Sequence, residues 1–170
     1  MKRISKAHWI WCQFQDTDMC FLEKLQSEVN NKFKGPSFEV HMTLLGPFAV
    51  MDEHRINKIE SICRTLKPIK VIPKCYDFDD KFFMAFYVKL KQTQPLLDFR
   101  SKFFDLDPIL KKSDYLPHIS LTYGNFSSRK KETFINQLVQ LKKNFLLSKV
   151  CIVNVDEAVF SWKIIRTFKL

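Results

Sequence analysis

Apolar and polar residues alternate with a period of two in several short runs and recur at three-to-four spacing in the runs between them, so strands and amphipathic helices succeed one another. From Ala7 to Gln15, Trp9, Trp11 and Gln13 fall on one side and Ile10, Cys12 and Phe14 on the other, as in a strand. Asp16-Thr17-Asp18 offers helix N-cap residues, and Leu22, Leu25, Val29 and Phe33 follow at helical spacing until Gly35-Pro36 stops the run. Phe38 to Leu45 alternates again, with Phe38, Val40, Met42 and Leu44 on one face and His41 and Thr43 on the other. Asp52 opens a second helix carrying Ile56, Ile59, Cys63 and Leu66. It ends before Pro68, because a residue preceding proline disfavours the helical conformation. Ile69 to Tyr76 reads as a strand that the internal Pro73 restricts to a sheet edge.

The order then restarts. Phe82 to Leu90 is predicted as a strand, with Phe82, Met84, Phe86, Val88 and Leu90 opposed to Phe83, Ala85 and Tyr87. Thr93-Gln94-Pro95 starts a helix bearing Leu96, Phe99 and Phe103, and a loop with Asp105, Asp107 and Pro108 leads into a strand around His118. Ser127 or Ser128 caps a further helix with the stripe Phe134, Leu138, Leu141 and Phe145, and Lys149–Val155 and Ala158–Phe168 read as closing strands. Strand, helix, His-bearing strand, helix, strand is therefore stated twice, with one strand added. The two histidines lie 118 − 41 = 77 residues apart in a chain of 170. Such a duplication predicts one domain over residues 1–170, with two similar lobes related by a pseudo-two-fold axis.

The repeated strands also repeat a motif. His41-Met42-Thr43-Leu44-Leu45-Gly46 and His118-Ile119-Ser120-Leu121-Thr122-Tyr123-Gly124 share the form His-x-Thr/Ser-Leu-x-(x)-Gly, and only four histidines occur in the chain. A spacing of two on a strand sets an imidazole beside a hydroxyl. One such pair is an ordinary surface or core feature, whereas two at matching places of a duplicated order point to shared acid/base work. The hydroxyls suit hydrogen bonds to phosphate oxygens, where charge builds during phosphoryl chemistry. Two histidines without a carboxylate at ligand spacing make a poor zinc site, and no Gly-rich phosphate loop is present. His8 and His54 lack this context and are expected at the surface. Trp9, Trp11 and most phenylalanines are expected in the core. Strict alternation turns Tyr123 to the core as well, unless the end of the strand swings it to the cleft.

Composition narrows the class further. An apolar share of 46% with 17 phenylalanines and only three glycines describes a chain that buries a core, not a disordered one. No apolar run approaches a membrane span, and the first residues lack a signal-peptide core. Five scattered cysteines without a Cys-x-x-Cys pair indicate reduced thiols, as in a cytoplasmic protein. A net charge of +10 favours anionic partners, although lysines spread over helices also form a plain solvated face.

Trp9-Ile10-Trp11, Gly35-Pro36-Ser37-Phe38-Glu39-Val40-His41-Met42-Thr43, Lys81-Phe82-Phe83 and Tyr115-Leu116-Pro117-His118-Ile119-Ser120-Leu121-Thr122-Tyr123-Gly124 together resemble the two-histidine (2H) phosphoesterases, and among them the cyclic phosphodiesterases of plants and yeast. The likeness runs over nearly the whole chain, weakest in the final strands, and departs from the family in placing Val40 where a proline usually precedes the first histidine. It implies an α+β bilobal fold, antiparallel sheet inside and helices outside, with the active site in the cleft. It further implies hydrolysis of a nucleoside 2′,3′-cyclic phosphate or ADP-ribose 1″,2″-cyclic phosphate without metal or cofactor, by a cytoplasmic monomer. On this resemblance His41 and His118 are the base and acid in undetermined order, and Thr43 and Ser120 hold the phosphate. Trp11 and Tyr123 line the pocket. Phe83, taken as lying in the strand equivalent to that of Trp11, walls the base or ribose. The alternatives are an enzyme acting on RNA 3′ ends or 2′-5′-linked oligonucleotides, and a non-catalytic RNA- or nucleotide-binding protein.

Overall fold

The alternation in the first strand, β1 (Ala7–Phe14), sorts its side chains into two apolar environments. Ile10, Cys12 and Phe14 are fully buried in the main core. Trp11 faces the other way into a smaller cluster with Cys151, Val153 and Val155. Helices cover the first face, and the second is the wall of a cleft. The computed structural model describes residues 7–112 and 114–170, and residues 1–6 and 113 lie outside the description.

After β1 come α1 (Asp16–Phe33), β2 (Met42–Phe48), α2 (Glu53–Thr65), β3 (Ile69–Val71) and β4 (Pro73–Asp77). The second half follows with β5 (Phe86–Leu90), α3 (Gln94–Ser101), β6 (His118–Thr122), α4 (Ser128–Ile135), β7 (Phe145–Val155) and β8 (Lys163–Lys169). The strands run in the order β3-β7-β1-β2-β6-β5-β4, with β8 on the free part of β7, and every pairing is antiparallel. Read outward from its middle, the order matches β2 with β6, β1 with β5 and β7 with β4. β4 thus lies beside β5, the first strand of the second half, and β7 lies beside β1, the first strand of the first half, so the duplication is one of exchanged strands. At the centre, β2 and β6 share a single register pair, Met42 opposite Ile119. No helix among the described residues is long and apolar enough to cross a membrane.

Pro73 explains the fate of the predicted strand Ile69–Tyr76. It divides into β3, paired with β7 at one end of the order, and β4, paired with β5 at the other. A proline cannot donate to a ladder, and at Ile72 the chain changes neighbours, its carbonyl accepting from the Lys91 amide. This short segment joins the two outer edges of the lobes.

Other local expectations are corrected by packing. β2 starts at Met42, not Phe38, and Phe82–Met84 forms a 3₁₀ turn ahead of a shorter β5. The stripe expected on α4 divides, with the helix ending at Ile135 and Phe145 opening β7. Val159–Ser161 is a 3₁₀ turn, so β8 begins at Lys163, and the loop before His118 holds 3₁₀ turns at Phe104–Leu106 and Pro108–Lys112. Gln15, not the following acidic run, is the N-cap residue of α1. Asp18 instead accepts from the Leu146 amide and pairs with Lys142, tying the start of α1 to β7. Asp52 and Thr93 hold the N-cap positions of α2 and α3, and the Asp52 side chain accepts from the Arg55 amide. The buried stripe of α1, Leu22, Leu25, Val29 and Phe33, packs across the halves: Phe33 meets Phe86 of β5 and Phe134 of α4 at 5.8 and 5.5 Å between ring centres.

The end of α1 also differs from expectation. The left-handed residue that closes it is Lys34, at φ 59°. Gly35 is required for space: a Cβ there would lie 1.9 Å from the Thr122 hydroxyl and 2.9 Å from the Tyr123 carbonyl. Gly35→Ala is expected to lower stability by about 1–3 kcal/mol, as overpacking does. Adding Thr122→Ala, which removes the nearest obstructing atom, should recover part of the loss. Urea-unfolding midpoints of the two single variants and the double variant test this coupling.

Candidate active site

The central junction decides what the motif residues face. Met42 lies opposite Ile119, and extending this antiparallel register by one residue each way sets His41 beside Ser120 and Thr43 beside His118. All four then share the face away from the core, because Met42 and Ile119, both fully buried, take the other. The neighbouring strands complete the symmetry. Trp11 of β1 lies opposite Thr43, and Tyr87 of β5 lies opposite Ser120. The Trp11 indole stacks on the His41 ring at 3.5 Å and 5°, and the Tyr87 ring meets the edge of His118 at 5.2 Å.

Each imidazole is held by the same local device. Nδ1 of His41 lies 2.6 Å from the Glu39 carbonyl, and Nδ1 of His118 lies 2.7 Å from the Leu116 carbonyl. A carbonyl only accepts, so Nδ1 carries the hydrogen in both rings and Nε2 keeps the lone pair when the ring is neutral. The segment before His41 is tied further by the buried Gln13, whose side-chain amide donates to the Val40 carbonyl. On the core side, buried Arg100 donates to the Leu44 carbonyl and stacks on Tyr115, whose hydroxyl lies 3.9 Å from the Met42 sulfur. One cation thus braces the backbone of the first motif and packs on the ring of Tyr115, three residues ahead of His118.

His41, Thr43, His118 and Ser120 open into one cleft of about 320 Å³ that Trp11, Phe83 and Tyr123 also line. All seven residues singled out in the sequence therefore converge on one place. Trp9, expected in the core, is a wall instead, and His8, expected at the surface, is half-buried; His54 is exposed. Tyr123 does swing to the cleft. It follows the last residue of β6 and stacks on Phe38 at 4.0 Å. The equivalence assumed for Phe83 is incorrect. Phe83 belongs to the 3₁₀ turn before β5, and the counterpart of Trp11 is Tyr87, which the alternation had placed on the same face as Phe83 without any motif to mark it. The sequence reading also missed Met84 and Trp162. Trp162 lies on the turn after Val159–Ser161, meets Trp11 at 5.8 Å and Tyr123 at 5.7 Å, and is oriented by an indole hydrogen bond to the Asp156 carbonyl. A lone tryptophan in the part of the chain with the weakest family likeness carried no sequence signal.

The cleft is walled by neutral side chains, with the two imidazoles its titratable bases. His41 is 4% exposed, and burial pushes its pKa down to about 3, against the raising effect of the Glu39 carbonyl, with a smaller lowering by His118. The half-buried His118 is also lowered, chiefly by burial. Burial raises the Tyr123 phenol, so it stays protonated. Both imidazoles are neutral near pH 7 in the free protein, and an anion entering between them favours protonation of either one. Among the described residues, no group of three or more His, Cys, Asp or Glu side chains could hold a metal ion. The five cysteines are unpaired.

The depressed His41 pKa fixes the sign of a pH effect. Below about pH 6.5 the unfolded chain binds a proton that the folded chain refuses down to about pH 3. Stability contributed by neutral His41 is therefore complete above pH 6.5 and declines as pH falls through that window, by at most about 1.4 kcal/mol per unit. His41→Asn should flatten this part of the curve. Urea midpoints of both proteins between pH 4 and 7.5 provide the check, and parallel curves would show that His41 titrates normally.

The profile of cyclic phosphodiesterase-like proteins matches residues 7–170. None of the curated proteins matches the sequence. Among solved structures, apo LigT of E. coli aligns with a TM-score of 0.62 at 10% identity, covering 97% of each chain. TT0787 of Thermus thermophilus aligns at 0.60 and 13%, covering 96% of this chain and 97% of that one. Usb1 of Kluyveromyces marxianus aligns at 0.52 and 13%, covering 98% and 99%. At these identities the structures establish the shared α+β fold, while the profile, which spans all but the first six residues, establishes the family. The chain belongs to the cyclic phosphodiesterase-like proteins.

Proposed function

We propose that this phosphoesterase hydrolyses ribose cyclic phosphates, opening a nucleoside 2′,3′-cyclic phosphate to the 2′-phosphate or ADP-ribose 1″,2″-cyclic phosphate to the 1″-phosphate. The observation that carries this reading is the pair of imidazoles with both Nδ1 atoms held on carbonyls, which leaves both Nε2 atoms for one cleft shared with two hydroxyls. E. coli LigT, similar in fold, forms complexes with 3′-AMP, phosphate, ATP and NADP+, which supports a nucleotide as the ligand class.

In this mechanism Thr43 and Ser120 donate to non-bridging phosphate oxygens. His41, buried and kept neutral, is the general base: its Nε2 takes a proton from a water whose oxygen attacks phosphorus. The more exposed His118 is the general acid. Its protonated form gives the Nε2 hydrogen to the ribose oxygen as the P–O ester bond breaks. Charge balances because one proton enters the protein at His41 and one leaves at His118, and no metal takes part. Trp11 holds the His41 ring flat, while Phe83, Tyr123 and Trp162 give the nucleoside aromatic surface. The enzyme acts in this reading as a cytoplasmic monomer on a small nucleotide. RNA 3′ ends carrying the same cyclic phosphate remain within its chemical reach.

Turnover of 2′,3′-cyclic AMP in the presence of EDTA, with 2′-AMP resolved from 3′-AMP, tests the proposal. The wild type should form 2′-AMP, and His41→Ala and His118→Ala should each lose about two to four orders of magnitude in rate. Full activity in both variants would sink the assignment. A nucleoside p-nitrophenyl phosphodiester, whose leaving group needs no proton, separates the two roles: His118→Ala should recover most of its rate on it, and His41→Ala should not.

A further inference from the structure

A second hollow, of about 380 Å³, lies against the candidate active site. It is formed by α1, the extended segment ahead of His41, and the turn leading to β8. Trp11 and Trp162 line both hollows, and their rings meet edge to face at 5.8 Å. The indole pair is a partition between two adjoining spaces.

Three features of the second hollow describe its ligand. Phe160, beside Trp162, is 86% exposed, a full aromatic ring kept in water at the rim. Gln26 of α1, 8% exposed, lines the hollow with its side-chain nitrogen buried and without an acceptor. The charged residues of the lining are Glu23 and Glu39, carboxylates that repel phosphate and accept from N–H groups. An aromatic ring to stack on, a donor lacking a partner and two acceptors suit a heterocycle bearing an exocyclic amine. The phosphate belongs on the other side of the partition, where hydroxyls and imidazoles replace carboxylates.

Resting on the cyclic phosphodiesterase reading, we propose that this hollow is a second-base subsite. It takes an amino-bearing nucleobase tethered to the ribose whose cyclic phosphate lies between His41 and His118. The substrate is then larger than one nucleoside, and Phe160 and Gln26 set its specificity. The tether is either the phosphodiester of an RNA 3′ end or the pyrophosphate of an ADP-ribose derivative. Both bring an adenine-type base to the same place.

Equilibrium titration of tryptophan fluorescence with product-like ligands tests this without requiring turnover. The probes are uridine 2′-phosphate, the dinucleotides ApU and UpU each carrying a 2′-phosphate on the terminal uridine, and ADP-ribose 1″-phosphate. At least one adenine-bearing ligand should bind about tenfold more tightly than uridine 2′-phosphate, within what stacking one base on an aromatic ring supplies. UpU should gain less. Phe160→Ala and Gln26→Leu should each remove the gain, and Phe160 is exposed enough that its loss leaves the fold intact. A gain by ApU identifies the phosphodiester tether, and a gain by ADP-ribose 1″-phosphate the pyrophosphate. Equal affinity for all ligands, a gain that survives both substitutions, or an equal gain by UpU overturns the proposal. Wild-type turnover of uridine 2′,3′-cyclic phosphate, measured alongside, reports on the catalytic reading alone.

Discussion

The single pairing of Met42 with Ile119 is the constraint on which the rest of the molecule depends. Both side chains are fully buried, so the residues on either side of them must face outward, and antiparallel register interleaves the two motifs. Each histidine thereby gains the hydroxyl of the other motif as its cross-strand neighbour. A longer β2–β6 ladder would extend the flat sheet and fill the space with more paired backbone. A ladder one pair long holds the halves together and lets them part immediately beyond it, which is where the cleft opens.

The strand exchange serves the same end. Because β7 lies against β1 and β4 against β5, neither half can complete its own sheet, and the halves cannot slide apart without stripping an edge from each. Phe33, on a helix of the first half, packs on Phe86 and Phe134 of the second. Arg100 reaches from α3 to the β2 backbone and stacks on the residue that leads into the His118 segment. The burial of that guanidinium is tolerable because carbonyls and an aromatic face receive it. The two imidazoles are therefore fixed by a frame drawn from both halves, which is what acid/base work across a gap requires.

Among the described residues that line the cleft there is no lysine or arginine, in a protein of net charge +10. Neutral donors in a dry pocket favour charge that develops during reaction, where fixed cations would also grip the ground state. Burial lowers the pKa of both imidazoles, so both are neutral near pH 7.

The alternation in β1 and in the two motif strands, the helical stripe of α1 and the duplicated order could all be read from the chain, because periods of two and 3.6 are local consequences of backbone geometry. So could His41, Thr43, His118 and Ser120, whose pairing on one face is set by a two-residue spacing. Local pattern failed where the neighbour decides the state. Phe82–Met84 alternates like a strand yet has no partner strand at that point and curls into a 3₁₀ turn, and Ile69–Tyr76 divides because its two ends find different neighbours. The true counterpart of Trp11, the partition made by Trp162 and the depressed pKa of His41 belong to tertiary structure alone. Each depends on which residues distant in sequence come to lie within a few ångströms, and no spacing along one strand or helix encodes that distance.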